Sequence, residues 1–144
     1  MVLGVPNSEP WGVARRDAYN LPTDEELDAE FAKVAEQNKI VRAYILCQPD
    51  NPTRIVFREH DLLRFVAYMR RKNVILVSDE VYGGQIFNNH PSQATEFFSL
   101  RDYADVTLWG LSKDFGSSGF RCGIIHCRNE KIKGAYLNFC ITVS

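Results

Sequence analysis

A chain of 144 residues, 45% apolar and 24% charged, can bury one ordinary core and is read as a single soluble domain. Its formal charge is −1, from 17 basic and 18 acidic residues. The basic residues are dispersed, which excludes a stripe able to track a phosphate backbone and, with it, a nucleic-acid partner. Neither a basic-plus-apolar leader nor an apolar run near the length of a membrane span is present, so a cytoplasmic protein with no membrane partner is expected.

Residues 1 to 20 show little periodicity and carry Pro6, Pro10 and Gly12, so they read as loop with one short strand at Val2 to Val5. Thr23 then offers an N-cap, and Glu26, three residues on, completes a capping box. Leu27, Phe31, Val34 and Ala35 recur on one face, which predicts a helix up to about Gln37. Val41 to Cys47 is a compact apolar run stopped by Gln-Pro-Asp-Asn-Pro at 48 to 52, where two prolines forbid helix and end a ladder. A buried strand and a loop are expected there. Arg58 to Lys72 places Leu62, Leu63, Phe65, Val66 and Met69 at helical spacing, and the β-branched run Val74 to Ser78 follows directly. Strand, helix and strand in this order predict a right-handed βαβ unit with parallel strands. The basic run Arg70-Arg71-Lys72 falls at the helix C-terminus, where the macrodipole favours cations.

Val106 to Trp109 and Gly123 to Cys127 read as two further strands with Lys113 on a short loop between them, and a closing helix is expected from about Glu130 to Asn138. No repeat, low-complexity tract or linker marks a domain boundary inside residues 1–144. Cys47, Cys122, Cys127 and Cys140 form no Cys-x-x-Cys pair and read as small buried hydrophobes in a reducing compartment. His60, His90 and His126 lack the spacing of zinc ligands, so no metal site is expected.

Three of these strands are each followed by a polar residue, Asn51, Asp79 and Lys113. Ligands of open parallel sheets bind beyond the carboxyl ends of the strands, so these residues are expected along one edge. Together Asn51-Pro52, Asp79, Tyr82, Lys113 and Arg121 resemble, in order and spacing, the pyridoxal-phosphate site of the class I/II aminotransferases. The string Leu-Ser-Lys-Asp-Phe-Gly-Ser-Ser-Gly-Phe-Arg at 111 to 121 is similar to the 1-aminocyclopropane-1-carboxylate (ACC) synthase-like branch of that family. The resemblance implies an α/β fold: a three-layer, mostly parallel sheet with helices on both faces, as in the large domain of fold-type-I pyridoxal-phosphate enzymes. It implies an incomplete one, because family members are far longer. Residues 1–144 are expected to hold the middle of a large domain whose complete enzyme is a homodimer acting on an amino acid.

The same resemblance implies the roles of the site residues. Lys113 would form a Schiff base with pyridoxal 5′-phosphate and return as a general base. Asp79 would pair with the pyridine nitrogen and keep it charged, whereas Glu80, pointing the other way along an extended chain, is not expected to touch the ring. Tyr82 and Asn51 would hydrogen-bond the cofactor's phenolic oxygen, and Arg121 would grip its phosphate with a planar fork of donors. Ser112, with the small residues Gly116, Ser117, Ser118 and Gly119, would let backbone amides approach that phosphate. Trp11 is the candidate for stacking on the ring. For several of these residues the ordinary alternatives are turn residues, a half-buried loop aromatic or a solvated lysine.

The chain also departs from the family pattern. Gly110 stands where a serine or threonine phosphate ligand is usual; the resemblance places the family's Gly/Ser/Thr phosphate loop well before residue 1, with no match at the N-terminus of this sequence, and the arginine that holds the substrate carboxylate in a C-terminal domain outside residues 1–144. The reaction class read from the resemblance is chemistry at the α-carbon of an amino acid, either transamination or ACC synthase-like elimination. The alternative is a catalytically inactive remnant that works by association. A dinucleotide-binding protein is excluded by the lack of Gly-x-Gly-x-x-Gly after the first strand.

Overall fold

The computed structural model describes residues 9–13, 19–86 and 96–143, the stretch 138–143 by its backbone alone. Val2 to Val5, His90 and the side chain of Cys140 lie outside the described residues. Helix α1 spans Asp24–Glu36 and opens with the expected capping box: the Glu26 amide donates to Thr23 Oγ1 at 3.2 Å, and the Thr23 amide to Glu26 Oε2 at 2.8 Å. Strand β1 is Ala43–Cys47, α2 Glu59–Arg71, β2 Ile75–Asp79 and β3 Val106–Gly110. A one-turn helix α3, Leu111–Asp114, and a 3-10 turn at Ser118–Phe120 lead to β4, Gly123–Cys127, and then to α4, Glu130–Val143. Lys113 therefore sits on a helical turn where the sequence predicts loop, and the last helix runs past Asn138.

The strands form one sheet in the order β1-β2-β3-β4. The first three are parallel, with Cys47, Asp79 and Leu108 in register and β3 continuing to Gly110, and β4 returns antiparallel beside β3. This is the mostly parallel α/β arrangement expected from the sequence.

Alternation along the strands sends Tyr44, Leu46, Leu76, Ser78 and Thr107 to one face. There α2 supplies Leu62, Phe65, Val66, Tyr68 and Met69, all buried, with the Tyr44 and Phe65 rings edge-to-face at 5.0 Å. Helix α1 seals the outer side of α2 through Leu27 and through Phe31, whose ring meets that of Tyr68 at 5.9 Å. The basic run at the end of α2 finds partners on α1 and beyond: Arg71 reaches Asp24, which Arg64 of mid-α2 also meets, Lys72 reaches Asp28, and Arg70 donates to the Tyr103 carbonyl. Over Ile45 the opposite face is open, that side chain being 48% exposed.

Edge strand β4 is exposed along nearly its whole length. Cys122, read as a buried hydrophobe, is exposed for this reason, while Cys47 and Cys127 are half-buried; all three are free thiols. Among the described residues no helix is long and apolar enough to cross a membrane.

Candidate functional site

The site grows from three chain reversals at the carboxyl ends of β1, β2 and β3. After β1, the Gln48 amide donates to the Asp79 carbonyl at 2.9 Å, extending the β1–β2 pairing by one bond. The loop then closes on itself: the Arg54 amide donates to the Asp50 carbonyl, the Asp50 amide to the Ile55 carbonyl, and Thr53 Oγ1 to the Asp50 carboxylate. Asn51 is held at the exposed tip, and the Gln48-Pro49 and Asn51-Pro52 peptide bonds are both cis.

After β2, Asp79 and Glu80 part company as extended neighbours must. Glu80 turns into the core, 4% exposed, and its carboxylate accepts from Ser78 Oγ at 2.8 Å, Ser99 Oγ at 2.6 Å and the Leu100 amide at 2.7 Å. Three donors converge on its two oxygens, two of them from residues 99 and 100, so Glu80 pins that segment to the end of β2. Asp79 stays half-buried on the other face. Its Oδ1 accepts from the Val81 amide at 3.3 Å, the turn-capping contact that is the ordinary use of such a residue.

Three of the sequence-predicted residues meet here. Asn51 Nδ2 donates to Tyr82 Oη at 3.4 Å, and Lys113 Nζ lies 5.7 Å from the centre of the Tyr82 ring. An ammonium at that distance is attracted by the ring's negative face. Asp79 lies three residues before Tyr82, at the base of the same turn.

The strand registers explain why residues so far apart in sequence converge: β1 and β2 end level, β3 runs on to Gly110, and each continues within a few residues into a turn on the same edge. Cys47, the register partner of Asp79, faces the same side. Burial and, secondarily, the Asp79 carboxylate push its thiol up to about 11, so it is an un-ionised group at neutral pH.

Other predicted residues lie further out. Arg121 is exposed, sits at a left-handed φ of 50°, and its guanidinium donates to the Ser118 carbonyl at 3.2 Å. Ser112 lies half-buried in α3, beside Lys113. Trp11 is directed elsewhere, its indole nitrogen donating to Glu30 of α1 at 3.3 Å. Gly110 ends β3 in extended backbone, φ −164°, and a Cβ built there would come no closer than 3.4 Å to its neighbours, so the usual hydroxyl residue would fit.

Sequence reasoning missed the polar contacts that hold the lysine turn. Asp114 Oδ2 accepts from the Gly84 amide at 2.9 Å and from Trp109 Nε1 at 2.8 Å, and Gln85 Nε2 donates to the carbonyl of Lys113 itself. Only the immediate succession Lys113-Asp114 hinted at them.

A mostly parallel sheet flanked by helices is the fold expected from the family resemblance, and the comparisons with known proteins agree on fold and family. Residues 17–139 match the family model for aminotransferase class I and II, and the chain belongs to that family. Its curated relatives fall in the ACC synthase-like branch. 1-Aminocyclopropane-1-carboxylate synthase 2 of Arabidopsis thaliana is 33% identical over 125 residues, covering 81% of this chain and 25% of its own. The probable inactive ACC synthase-like protein 2 of Homo sapiens is 27% identical over 121 residues, covering 81% of this chain and 21% of its own.

Among solved structures, aspartate aminotransferase from Thermus thermophilus with maleate superposes with a TM-score of 0.62 at 25% identity, over 78% of this chain and 27% of that one. A pyridoxal-phosphate-bound putative aminotransferase from Clostridium difficile gives 0.58 at 20% identity, over 76% of this chain and 30% of that one, a likeness of fold. The chain thus spans about a quarter of the length of the curated relatives it matches.

Proposed function

We propose that residues 1–144 are part of the large domain of a pyridoxal-phosphate-dependent enzyme that works at the α-carbon of an amino acid, by transamination or by ACC synthase-like elimination. The observation that carries this is the meeting of Asn51, Tyr82 and Lys113 beyond the ends of three parallel strands, with Asp79 beside them.

The donor set fits the cofactor. Asp79 uses one oxygen for the Val81 amide and has a second with which to hold a proton on a pyridine nitrogen. Tyr82 and Asn51 offer a hydroxyl and an amide to a phenolic oxygen, and Arg121, tied to the chain by a single bond from Nη1, has further donors for a phosphate. Ser112, in the one-turn helix beside Lys113, and the Gly116–Gly119 segment would add hydroxyl and backbone donors for that phosphate. When bound, pyridoxal phosphate supplies a charged ring that draws electrons from the bond broken at the substrate α-carbon. Lys113 is the amine that attaches it and then holds and moves the α-proton. Trp11 carries no part of this proposal. Family resemblance adds an amino-acid substrate, a homodimeric complete enzyme and a cytoplasmic location.

A second reading, a non-catalytic relative acting by association, is favoured by Gly110 in place of a hydroxyl ligand and by the name of the similar human protein. Reductive trapping of pyridoxal phosphate on this chain, mapped by peptide mass, separates the readings together with α-proton exchange of added amino acids. Label concentrated on Lys113 and abolished in Lys113→Ala, with exchange slowed by several orders of magnitude in Asp79→Asn, supports an enzyme. Label at Lys113 without any exchange supports the remnant. Label spread evenly over surface lysines would sink the cofactor site itself.

A further inference from the structure

Resting on that reading, one question is what holds Lys113 above Tyr82. Both residues sit on turns at the surface: Lys113 is exposed, as are Gly84 and Gln85 at the end of the Tyr82 turn. Neither turn is fixed by the apolar core, whose buried cluster contains no residue of 81–86 or 111–121.

What joins the turns is Asp114. A single oxygen, Oδ2, accepts both the Gly84 amide at 2.9 Å and Trp109 Nε1 at 2.8 Å, while Oδ1 is buried without a hydrogen-bond partner among the described residues. Gln85 Nε2 adds a bond to the Lys113 carbonyl. One side chain thus ties the turn after β2 to the turn after β3 and anchors both to the indole of β3. Gly84 belongs to the same device. A Cβ there would lie 2.9 Å from Asp114 Cγ and Oδ2, so any larger residue must displace the carboxylate.

We propose that Asp114 is a positioning residue for Lys113: with Gly84 and Trp109 it clamps the lysine-bearing turn to the tyrosine-bearing turn and so aims the amine. The bonding pattern makes the requirement geometric. All the acceptance runs through one oxygen, so a carboxamide placing its oxygen at Oδ2 keeps both bonds, whereas alanine keeps neither.

The test uses the 144-residue chain and two reagents scored lysine by lysine by peptide mass, with Lys131 as internal reference. Acetic anhydride, without cofactor, reports how freely the amine reacts; pyridoxal phosphate with cyanoborohydride reports whether it is aimed. Releasing an aimed lysine slows the second and speeds the first, and a retained cooperative thermal transition together with the Asp114→Asn variant separates this from a general loss of structure. Asp114→Ala is expected to slow cofactor trapping at Lys113 by about tenfold or more, the scale of effect that small misplacements produce, and to speed its acetylation. Asp114→Asn should stay within about twofold of the parent in both, and Gly84→Ala should reproduce Asp114→Ala.

Unchanged Lys113 rates in Asp114→Ala, or Asn behaving like Ala, overturns the clamp. Should Asp114→Ala lose its cooperative thermal transition, Gly84→Ala and Trp109→Phe decide in its place by the same two rates. A parent chain that takes no pyridoxal phosphate at Lys113 defeats the proposed function, while the acetylation arm still judges the clamp.

Discussion

Strands β1 and β2 meet opposite conditions on their two faces. On one, Tyr44, Leu46 and Leu76 press against α2, and Phe65 and Leu62 are wholly buried; on the other, Ile45 is half open to water and Asp79 stands with Cys47 at the end of the row. The first face is closed by apolar packing within the described chain. At the carboxyl edge, order comes instead from short polar bonds between turns. Stability and chemistry are thus carried by different residues, and each can be disturbed with the other left in place.

The comparison breaks most severely at the buried face. Phe65→Ala removes a fully buried ring in contact with Tyr44, and a loss of about 3–5 kcal/mol is expected, measured by urea unfolding. A destabilisation under 1 kcal/mol would mean that α2 is not the main cover of the sheet.

The half-buried Cys47 and the exposed Cys122 differ next. Because burial raises the Cys47 thiol to about 11, its reactive thiolate is scarce at pH 8 and grows about tenfold per pH unit until the pH reaches that value. Cys47 should therefore react with iodoacetamide at pH 8 roughly a hundredfold more slowly than an ordinary cysteine, whereas the exposed Cys122 reacts readily. Equal rates by peptide mapping would show that the Asp79 end of the sheet is wet.

Glu80 joins the faces, so its loss is intermediate. Glu80→Gln turns an amide group toward donors that now meet an acceptor, and roughly 1–3 kcal/mol should be lost, read from the thermal midpoint. A smaller effect follows from Thr23→Ala, which removes one half of the α1 capping box at a cost of about 1 kcal/mol in the same measurement. Smallest of all is Ile45→Lys on the open face: stability should stay within about 0.5 kcal/mol, while static light scattering shows less association. A large destabilisation there would mean that Ile45 is covered in solution.

Local chemistry made much of this legible. The capping box at Thr23 and Glu26, the apolar periodicity of both long helices and the prolines after β1 act over a few residues, and each appears within two or so residues of its expected place. The convergence of Asn51, Tyr82 and Lys113 was readable because parallel strands must end on one edge. What escaped depends on distant partners. Glu80 is buried because Ser99 and Leu100 come to it, and Cys122 is exposed because nothing flanks β4 among the described residues. The Arg70-Arg71-Lys72 run looked like a helix-end cluster, yet two of its members also reach carboxylates of α1, and only the packing of two helices could reveal that.

The strand order has a consequence for how the molecule opens. Among the described residues, strands β2 and β3 are bonded on both sides, β1 and β4 on one, so amide protons in the two central strands are expected to exchange with solvent only in large openings and those of β4 in small ones. Lys113 lies between these two regimes, on the one-turn helix that follows a central strand, with the 3-10 turn at Ser118–Phe120 between it and the edge. A local fluctuation that peels β4 away is therefore expected to leave the lysine in place, because its turn is bonded to the turn after β2 and to Trp109 of β3 rather than to the edge strand.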